Sequence, residues 1–457
     1  MKLLIFGNDK ISLNVASFLS SYYKVTLINE AEESGDEESD GIDFEILNCK
    51  EFSVDILSQF VNYDEEFIFL ALSSSDEKNI AITCLVDSLF EKPKKIAKIS
   101  HKSYLYFKKN QPIKYKHIDE IFVPEERIAE RIVFNISEQR NVDLSYSFFN
   151  KNIIFSVLTV INDTADQLTI AKINSQILSN IQSIRIFGVI RNDEYLEINK
   201  NFKILKYDKL LLIGDDKQVS HIDKLINDAQ ESYKKNEVVI CGGGKIGSYI
   251  AEKLNKYSNK FTISIVDNKI KSLSQSLIQN KNNKLIRGGA TNPATLMEAG
   301  CDNAQFVISV TNKDTTNIIS AMTAKNINQK NKTIAIIEHK MQGDIAQKTG
   351  IDEIIDPTAI TKSTIFSILR KNIAENSILI ADNKYELIEI NFFNKKIEGV
   401  DKINKLEKDY NINVISSYDE GFIDYNPLKS NSINNKTILI FGSIESINKI
   451  SRDVMLK

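Results

Sequence analysis

No uncharged apolar stretch in this 457-residue chain approaches the roughly 18 residues that a membrane-spanning helix needs. Any work at a membrane is therefore expected to pass through a partner. The opening Met1–Gly7 is too short an apolar run for a signal peptide. Cysteine is scarce and scattered: Cys49, Cys84, Cys241 and Cys301 have no metal or redox spacing and read as reduced thiols in a cytosol. The histidines His101, His117, His221 and His339 lack metal-ligand spacing as well, so no metal site is expected. Neither sign of charge dominates. Lys and Arg number 58 against 61 Asp and Glu, a formal charge of −3, which argues against nucleic acid or an anionic bilayer as the main partner. With 42% hydrophobic and 26% charged residues, the chain can build sizeable cores, in about two to four domains.

Glycine is sparse too, 17 residues in all, which makes one cluster conspicuous. Val238–Gly247 reads Val-Val-Ile-Cys-Gly-Gly-Gly-Lys-Ile-Gly: a short apolar run of a buried parallel strand, then Gly242-x-Gly244-x-x-Gly247. A helical pattern follows in Ile246, Ile250 and Leu254. Each glycine has a physical task in a dinucleotide-binding turn. Gly242 permits the tight turn, Gly244 lets the backbone approach a pyrophosphate, and Gly247 lets helix and strand pack closely. The phosphates would rest on the unpaired N–H groups of the helix N-terminus. A second strand, Phe261–Val266, ends in Asp267, 20 residues past Gly247 (267 − 247). That spacing suits a carboxylate that accepts hydrogen bonds from ribose hydroxyls.

The same opening occurs at the start of the chain. Leu3–Gly7 followed by Asn8-Asp9-Lys10-Ile11-Ser12 aligns with the central stretch at an offset of 235 (242 − 7). Phe67–Leu72 and the Ser73-Ser74-Ser75-Asp76-Glu77-Lys78-Asn79 after it match Phe306–Val310 and Thr311-Asn312-Lys313-Asp314-Thr315-Thr316-Asn317, at an offset of 238 (317 − 79). Ile96–His101 matches Ile334–His339 at the same offset (339 − 101). The chain thus reads as a tandem duplication of an α/β unit whose alternating strands and helices imply a doubly wound parallel sheet. Each unit has a smaller strand-rich part. In the first it starts near Val142, with strands at Ile153–Val160, Ile184–Ile190 and Tyr207–Ile213 and a hairpin turn at Arg191–Glu194. In the second it runs from about Ile378, with Val414–Ser417, a turn at Tyr418–Gly421 and Thr437–Phe441; the polar Glu231–Asn236 joins the halves.

The two glycine turns differ. Only Gly7 survives in the first. Asp9 stands where a phosphate would approach the backbone, and Asn29 replaces the ribose-binding acid. The acidic run Ala31–Gly41 follows, where the second half has a helical pattern in Ile270, Leu273 and Leu277. Asp36, Glu38, Asp40 and Gly41 have the opening spacing of a calcium loop, but Leu47 falls where its closing Glu belongs, so a solvated loop is preferred. Downstream in the second half, Arg287-Gly288-Gly289-Ala290-Thr291 follows the strand Lys284–Ile286. Its small residues let a nucleotide lie across the sheet edge. Thr311 or Asn312 is expected to cap the next helix and also to meet a ligand, with capping alone preferred for one of them.

The duplicated glycine-rich unit, its strand-rich appendage, Val310–Asn317 and Arg287–Ala290 together resemble the TrkA family of Trk-system potassium-uptake regulators, over essentially the whole chain. The resemblance implies two Rossmann-like RCK (KTN) domains, each followed by a small α+β RCK C-terminal domain: 1–140, 141–230, 236–373 and 376–457. It implies a cytoplasmic regulatory subunit, a homodimeric or homotetrameric ring, peripheral on the inner face of the membrane. Such a subunit gates a TrkH/TrkG-like integral-membrane potassium transporter in response to NAD(H) or ATP/ADP. Carried over by position, the second nucleotide site is Gly242, Gly243, Gly244, Lys245, Ile246, Gly247, Asp267, Gly289, Ala290, Thr311 and Asn312. The first is Gly7, Asn8, Asp9, Lys10, Ile11, Asn29, Ser73, Ser74 and Lys98, with nucleotide binding there expected to be weak or absent. Family members commonly have an Arg where Lys98 stands, and Lys keeps the charge but not the bidentate geometry.

Two other readings remain, an NAD-dependent oxidoreductase and a nucleotide sensor without a membrane partner. Tyr249-x-x-x-Lys253 has the spacing of a short-chain dehydrogenase pair, but it lies on the helix that holds the pyrophosphate. Tyr104-x-x-x-Lys108 is similarly misplaced. No acid–base constellation stands out, and no enzyme activity is expected.

Overall fold

The computed structural model describes residues 2–30, 44–59, 61–108, 111–137, 142–149, 153–162, 168–173, 184–227, 236–257, 260–269, 275–370, 374, 376–381, 383–393, 400–419, 422–427 and 431–455. The acidic run 31–41, residues 231–235 of the joining stretch and the positions of Ile270 and Leu273 lie outside these residues. Of the helical pattern expected there, Gln275–Gln279 is described as helix.

The first repeat opens with strands β1 (Lys2–Phe6), β2 (Lys24–Glu30), β3 (Glu45–Cys49), β4 (Phe67–Ala71) and β5 (Lys94–Lys98). A two-stranded ribbon, β6 (Tyr106–Lys108) and β7 (Gln111–Pro112), precedes β8 (Glu120–Phe122). The main sheet has the order β3-β2-β1-β4-β5-β8, and its described pairs are parallel. Its central strand Phe-Ile-Phe-Leu-Ala is buried throughout, as a strand covered on both faces must be. The smaller part of the repeat holds β9 (Val142–Phe148), β10 (Ile153–Thr159), β11 (Ile184–Arg191), β12 (Glu194–Leu196) and β13 (Lys209–Gly214), in the antiparallel order β12-β11-β13-β10-β9. Asn192 and Asp193 both have positive φ, 52° and 60°, the requirement of the tight hairpin turn expected there. The strand expected from Tyr207 starts at Lys209. Tyr207 sits in the left-handed region at φ 69°, and its N–H donates to Val160 O (2.7 Å).

The second repeat copies this plan. Strands β14 (Asn236–Cys241), β15 (Phe261–Asp267), β16 (Asn283–Arg287), β17 (Phe306–Ser309), β18 (Lys332–Ile336) and β19 (Glu353–Ile355) take the order β16-β15-β14-β17-β18-β19. Asn236, read as linker, is the first residue of β14. Strands β20 (Asn376–Ile380), β21 (Tyr385–Asn391), β22 (Ile412–Asp419), β23 (Phe422–Asp424) and β24 (Thr437–Ser443) follow as β20-β21-β24-β22-β23. Tyr418 and Asp419, read as turn, complete β22 and pair with Ile423 and Phe422.

The repeat extends to individual hydrogen bonds. Gly7 N donates to Ile28 O (3.1 Å), and Gly242 N to Val266 O (2.9 Å). Asn79 Oδ1 accepts from Ser73 N (3.0 Å) while its amide donates to Lys98 O (2.9 Å). Asn317 does the same with Thr311 N (2.8 Å) and Ile336 O (2.9 Å). Each buried Asn thus ties the end of one strand to the end of the next and satisfies backbone groups that a loop would otherwise strand.

The chain divides into two compact units. One comprises Met1–Ala129, Val239–Glu252 and Ile263–Ile365, and the other Glu130–Val238, Lys253–Thr262 and Phe366–Lys457. The first holds both parallel sheets. The second holds both antiparallel sheets, which share a core: Phe149, Phe155, Phe187 and Ile213 pack with Leu387, Ile415, Leu439 and Phe441. Phe149 stacks on Tyr418 (5.5 Å, 20°), and Arg185 Nη1 donates to Ile415 O (3.1 Å) and Tyr425 O (3.2 Å).

Candidate nucleotide-binding site

In an open parallel sheet a ligand settles outside the carboxyl ends of the strands, where the strand order reverses. In the second repeat that point lies between β14 and β17. Gly242–Gly247 connects β14 to the helix Lys245–Asn255. Asp267 ends β15, Gly289 and Ala290 follow β16, and Thr311 and Asn312 follow β17, so all of these positions meet at one edge.

The glycines fall into two kinds. Gly242 has φ +111°, and a Cβ there would lie 2.9 Å from Val310 O. A Cβ on Gly247 would lie 1.9 Å from Gly242 O. These two are required by the fold itself. Gly244 differs: a Cβ there meets nothing within 4 Å, and a Cβ on Gly289 only touches Asn268 Oδ1 at 4.0 Å. The room at Gly244 lies over the helix N-terminus, whose first N–H groups have no intrahelical acceptor. It is open to an anion.

Asp267 holds the backbone around it, which spacing does not reveal. Its Oδ2 accepts the N–H of Gly243 (2.8 Å), and its Oδ1 accepts that of Lys269 (2.7 Å). The carboxylate therefore holds the glycine loop while each oxygen keeps a lone pair for a further donor. Thr311 does not cap the next helix, Asp314–Ile327, and neither does Asn312. The N-cap is Lys313, with no side-chain bond, and Thr311 Oγ1 is tied to Asn317 Oδ1 (2.7 Å) instead. Asn317 was not among the expected site residues; its signal was the match to Asn79. Ala290 is buried among Val239, Ile286 and Leu296, so its small side chain serves packing. Ile246 is half-buried on the helix, and Lys245, exposed, has Nζ 3.8 Å from Glu125 Oε1.

The first repeat fills the corresponding space. Asp9 is the N-cap of the helix Lys10–Ser20, and its Oδ1 accepts Ser12 N (2.8 Å). Its Oδ2 lies 3.3 Å from the Nζ of buried Lys98 at the end of β5. Asn29 donates to Asn48 Oδ1 (2.9 Å) across β2 and β3, and exposed Asn8 to Glu30 O (3.3 Å). Ser73 is buried against Asn79, while Ile11 is half-buried. Lys10 reaches the second repeat, with Nζ 3.1 Å from His339 Nε2 and 3.6 Å from Glu338. Ser74 lines a cavity of about 260 Å³ with Glu77, His101, Ser103, Tyr104 and Lys245.

Tyr249 is buried, and desolvation, with Glu126 and Glu125 nearby, pushes its hydroxyl far above the usual phenol range. Lys253 is bound to Glu130 Oε1 (3.1 Å). Burial, with Cys301 near, pushes the Cys241 thiol up to about 12, and burial takes Cys301 to about 11, so both stay protonated at neutral pH. Among the described residues no three His, Cys, Asp or Glu could hold a metal, and no helix is long and apolar enough to cross a membrane.

The profile of the TrkA-N domain matches residues 3–124 and 238–357, one copy on each parallel sheet. The chain belongs to the TrkA-N family. Among its relatives is the Trk system potassium uptake protein TrkA of Azorhizobium caulinodans, 23% identical over 399 residues, covering 85% of this chain and 84% of that one. Another is the protein of the same description from Vibrio alginolyticus, 21% identical over 388 residues, with 81% and 80% covered. Among solved structures, the GsuK RCK domain superposes on all of this chain and 95% of its own, with TM-score 0.63 at 17% identity. The GsuK channel bound to NAD does so with TM-score 0.62, also at 17% identity, over 79% of its own length. At that identity the likeness concerns the fold, and the Rossmann-like TrkA-N repeats with antiparallel appendages are the architecture expected from sequence.

Proposed function

We propose that this chain is a nucleotide-responsive regulatory subunit of a Trk-type potassium-uptake system, and that the second repeat binds the adenine nucleotide. The observation that carries the reading is the open space at Gly244, where a Cβ would meet nothing within 4 Å, beside a carboxylate that already orders the glycine loop. NAD(H) and ATP/ADP share the diphosphate and ribose hydroxyls that such a crevice recognises. The likeness to TrkA relatives supports a TrkH/TrkG-like membrane subunit as partner, with this chain peripheral on the cytoplasmic face as a dimeric or tetrameric ring. Four domains, 1–140, 141–230, 236–373 and 376–457, are part of this reading, and so is the lack of hydride transfer.

Asp267→Ala should lower affinity for NADH or ADP about 10- to 100-fold, because charge-assisted hydrogen bonds of roughly 1.5–3 kcal/mol are lost. Loosening of Gly243 adds to the loss. Calorimetry that finds unchanged affinity would remove Asp267 from the site.

The reading as a whole is tested by potassium flux into liposomes that hold the membrane subunit, with this chain and each nucleotide added in turn. A ligand biases a regulator only by binding one arrangement better than another. A coupling of about 1–3 kcal/mol changes the affinity for the partner roughly 5- to 150-fold, and the partner must change nucleotide affinity by the same factor. Flux indifferent to every nucleotide, with nucleotide still bound, favours a sensor that acts elsewhere. NADH consumption with a substrate panel would instead restore the oxidoreductase reading.

A further inference from the structure

The two glycine turns occupy equivalent places, each anchored by the same hydrogen bond from its first glycine to the neighbouring strand. In that frame Asp9 corresponds to Gly244. Where Gly244 leaves open space, the Asp9 side chain turns into it. One of its oxygens accepts Ser12 N (2.8 Å), the backbone group equivalent to Gly247 N, and the other lies 3.3 Å from Lys98 Nζ. Ser12 Oγ completes the cap by accepting Asp9 N (3.1 Å). The Lys98 side chain is only 7% exposed, an expensive place for a cation without a counter-charge. Two features that attract an anion, a helix N-terminus and a buried ammonium, thus converge on one carboxylate of the chain itself.

We propose that the Asp9 carboxylate is a resident occupant of the anion position in the first repeat, so that a nucleotide diphosphate is admitted to the second repeat alone. This rests on the second-repeat crevice being the nucleotide site. The occupant is covalently attached, so it competes at a high effective concentration that a free nucleotide does not match. The duplicated chain then has one responsive unit and one fixed unit in the ligand-filled arrangement. An arriving nucleotide changes one side of the pair against a constant reference. Lys98 serves the internal carboxylate in the native protein and a phosphate only when that carboxylate is gone.

The test is calorimetric titration of the full chain with ADP. Wild type should bind one ADP per chain. Asp9→Gly should bind two, the new site weaker because Asn29 replaces a ribose-binding acid. Asp9→Gly combined with Lys98→Met should return to one. Should Asp9→Gly not fold, Asp9→Ser keeps a hydroxyl to cap the helix, frees the space and makes the same prediction. One site in wild type and still one in these variants overturns the inference and leaves the second-repeat reading intact. No site in wild type and one in Asp9→Gly overturns that reading and, with it, the inference of admission to the second repeat alone. No binding by any of the proteins overturns both.

Discussion

Gly244→Asp should weaken nucleotide binding more than about 100-fold without disturbing the fold. Position 244 is not in the left-handed backbone region, and a Cβ there meets no atom within 4 Å, so the fold has no reason to reject a side chain. The new carboxylate reproduces the first-repeat cap without its counter-charge, since Ile336 stands where Lys98 does: it would cap the helix Lys245–Asn255 and fill the space above its N–H groups. A nucleotide diphosphate would then have to displace a bonded carboxylate while facing a like charge. A loss of about 3 kcal/mol, more than 100-fold in affinity, is the expected scale. Because the substitution adds an N-cap, the thermal midpoint without ligand should hold or rise slightly. Calorimetry with NADH and ADP and a melting scan on the same sample check both halves of this prediction. Wild-type affinity in the variant would show that no phosphate lies over Gly244. In the liposome assay the variant should be insensitive to nucleotide. Gly247→Ala offers a contrast, since its Cβ would lie 1.9 Å from Gly242 O and the loop itself must move.

The largest expected change in stability is at Phe441. This side chain, 1% exposed on β24, lies in the core shared by the two antiparallel sheets. Its ring meets Phe187 at 5.7 Å, Tyr195 at 4.8 Å and Tyr385 at 5.5 Å, the last nearly parallel at 17°. The first two belong to the first repeat and the third to the second. Truncation to Ala removes the contacts and leaves a cavity, at a cost of about 3–5 kcal/mol. The chain contains no Trp, so calorimetry is a better probe than intrinsic fluorescence. It also resolves separate transitions, which a chain of two units need not merge into one. The transition that includes the antiparallel sheets should move to lower temperature. Phe422→Ala is the control: Phe422 is 82% exposed on β23, so a change within about 0.5 kcal/mol is expected. Equal midpoints for the two variants would mean that the sheets do not depend on this shared core.

Much of this protein is legible in its sequence because the relevant physics is local. A parallel strand buried on both faces is an apolar run, a glycine turn needs particular residues at particular steps, and a duplication repeats both at a fixed offset. β14, Gly242–Gly247, Asp267 and the matching openings at Gly7, Ser73 and Thr311 follow from these rules alone. What the sequence could not decide depends on residues brought together from far along the chain. Asp9 reads as a residue standing where a phosphate would approach, and only folding pairs it with Lys98, 89 positions away. Asp267 reads as a ribose ligand, and only the close approach of β15 to the glycine loop shows it holding Gly243. Tyr249 and Lys253 match a catalytic spacing, yet only folding shows the tyrosine buried and the lysine bound to Glu130. The core around Phe441 joins segments about two hundred residues apart in a single apolar contact set. Hydrophobic periodicity tells which face of a strand is buried but not against which strand, and that choice belongs to the tertiary structure.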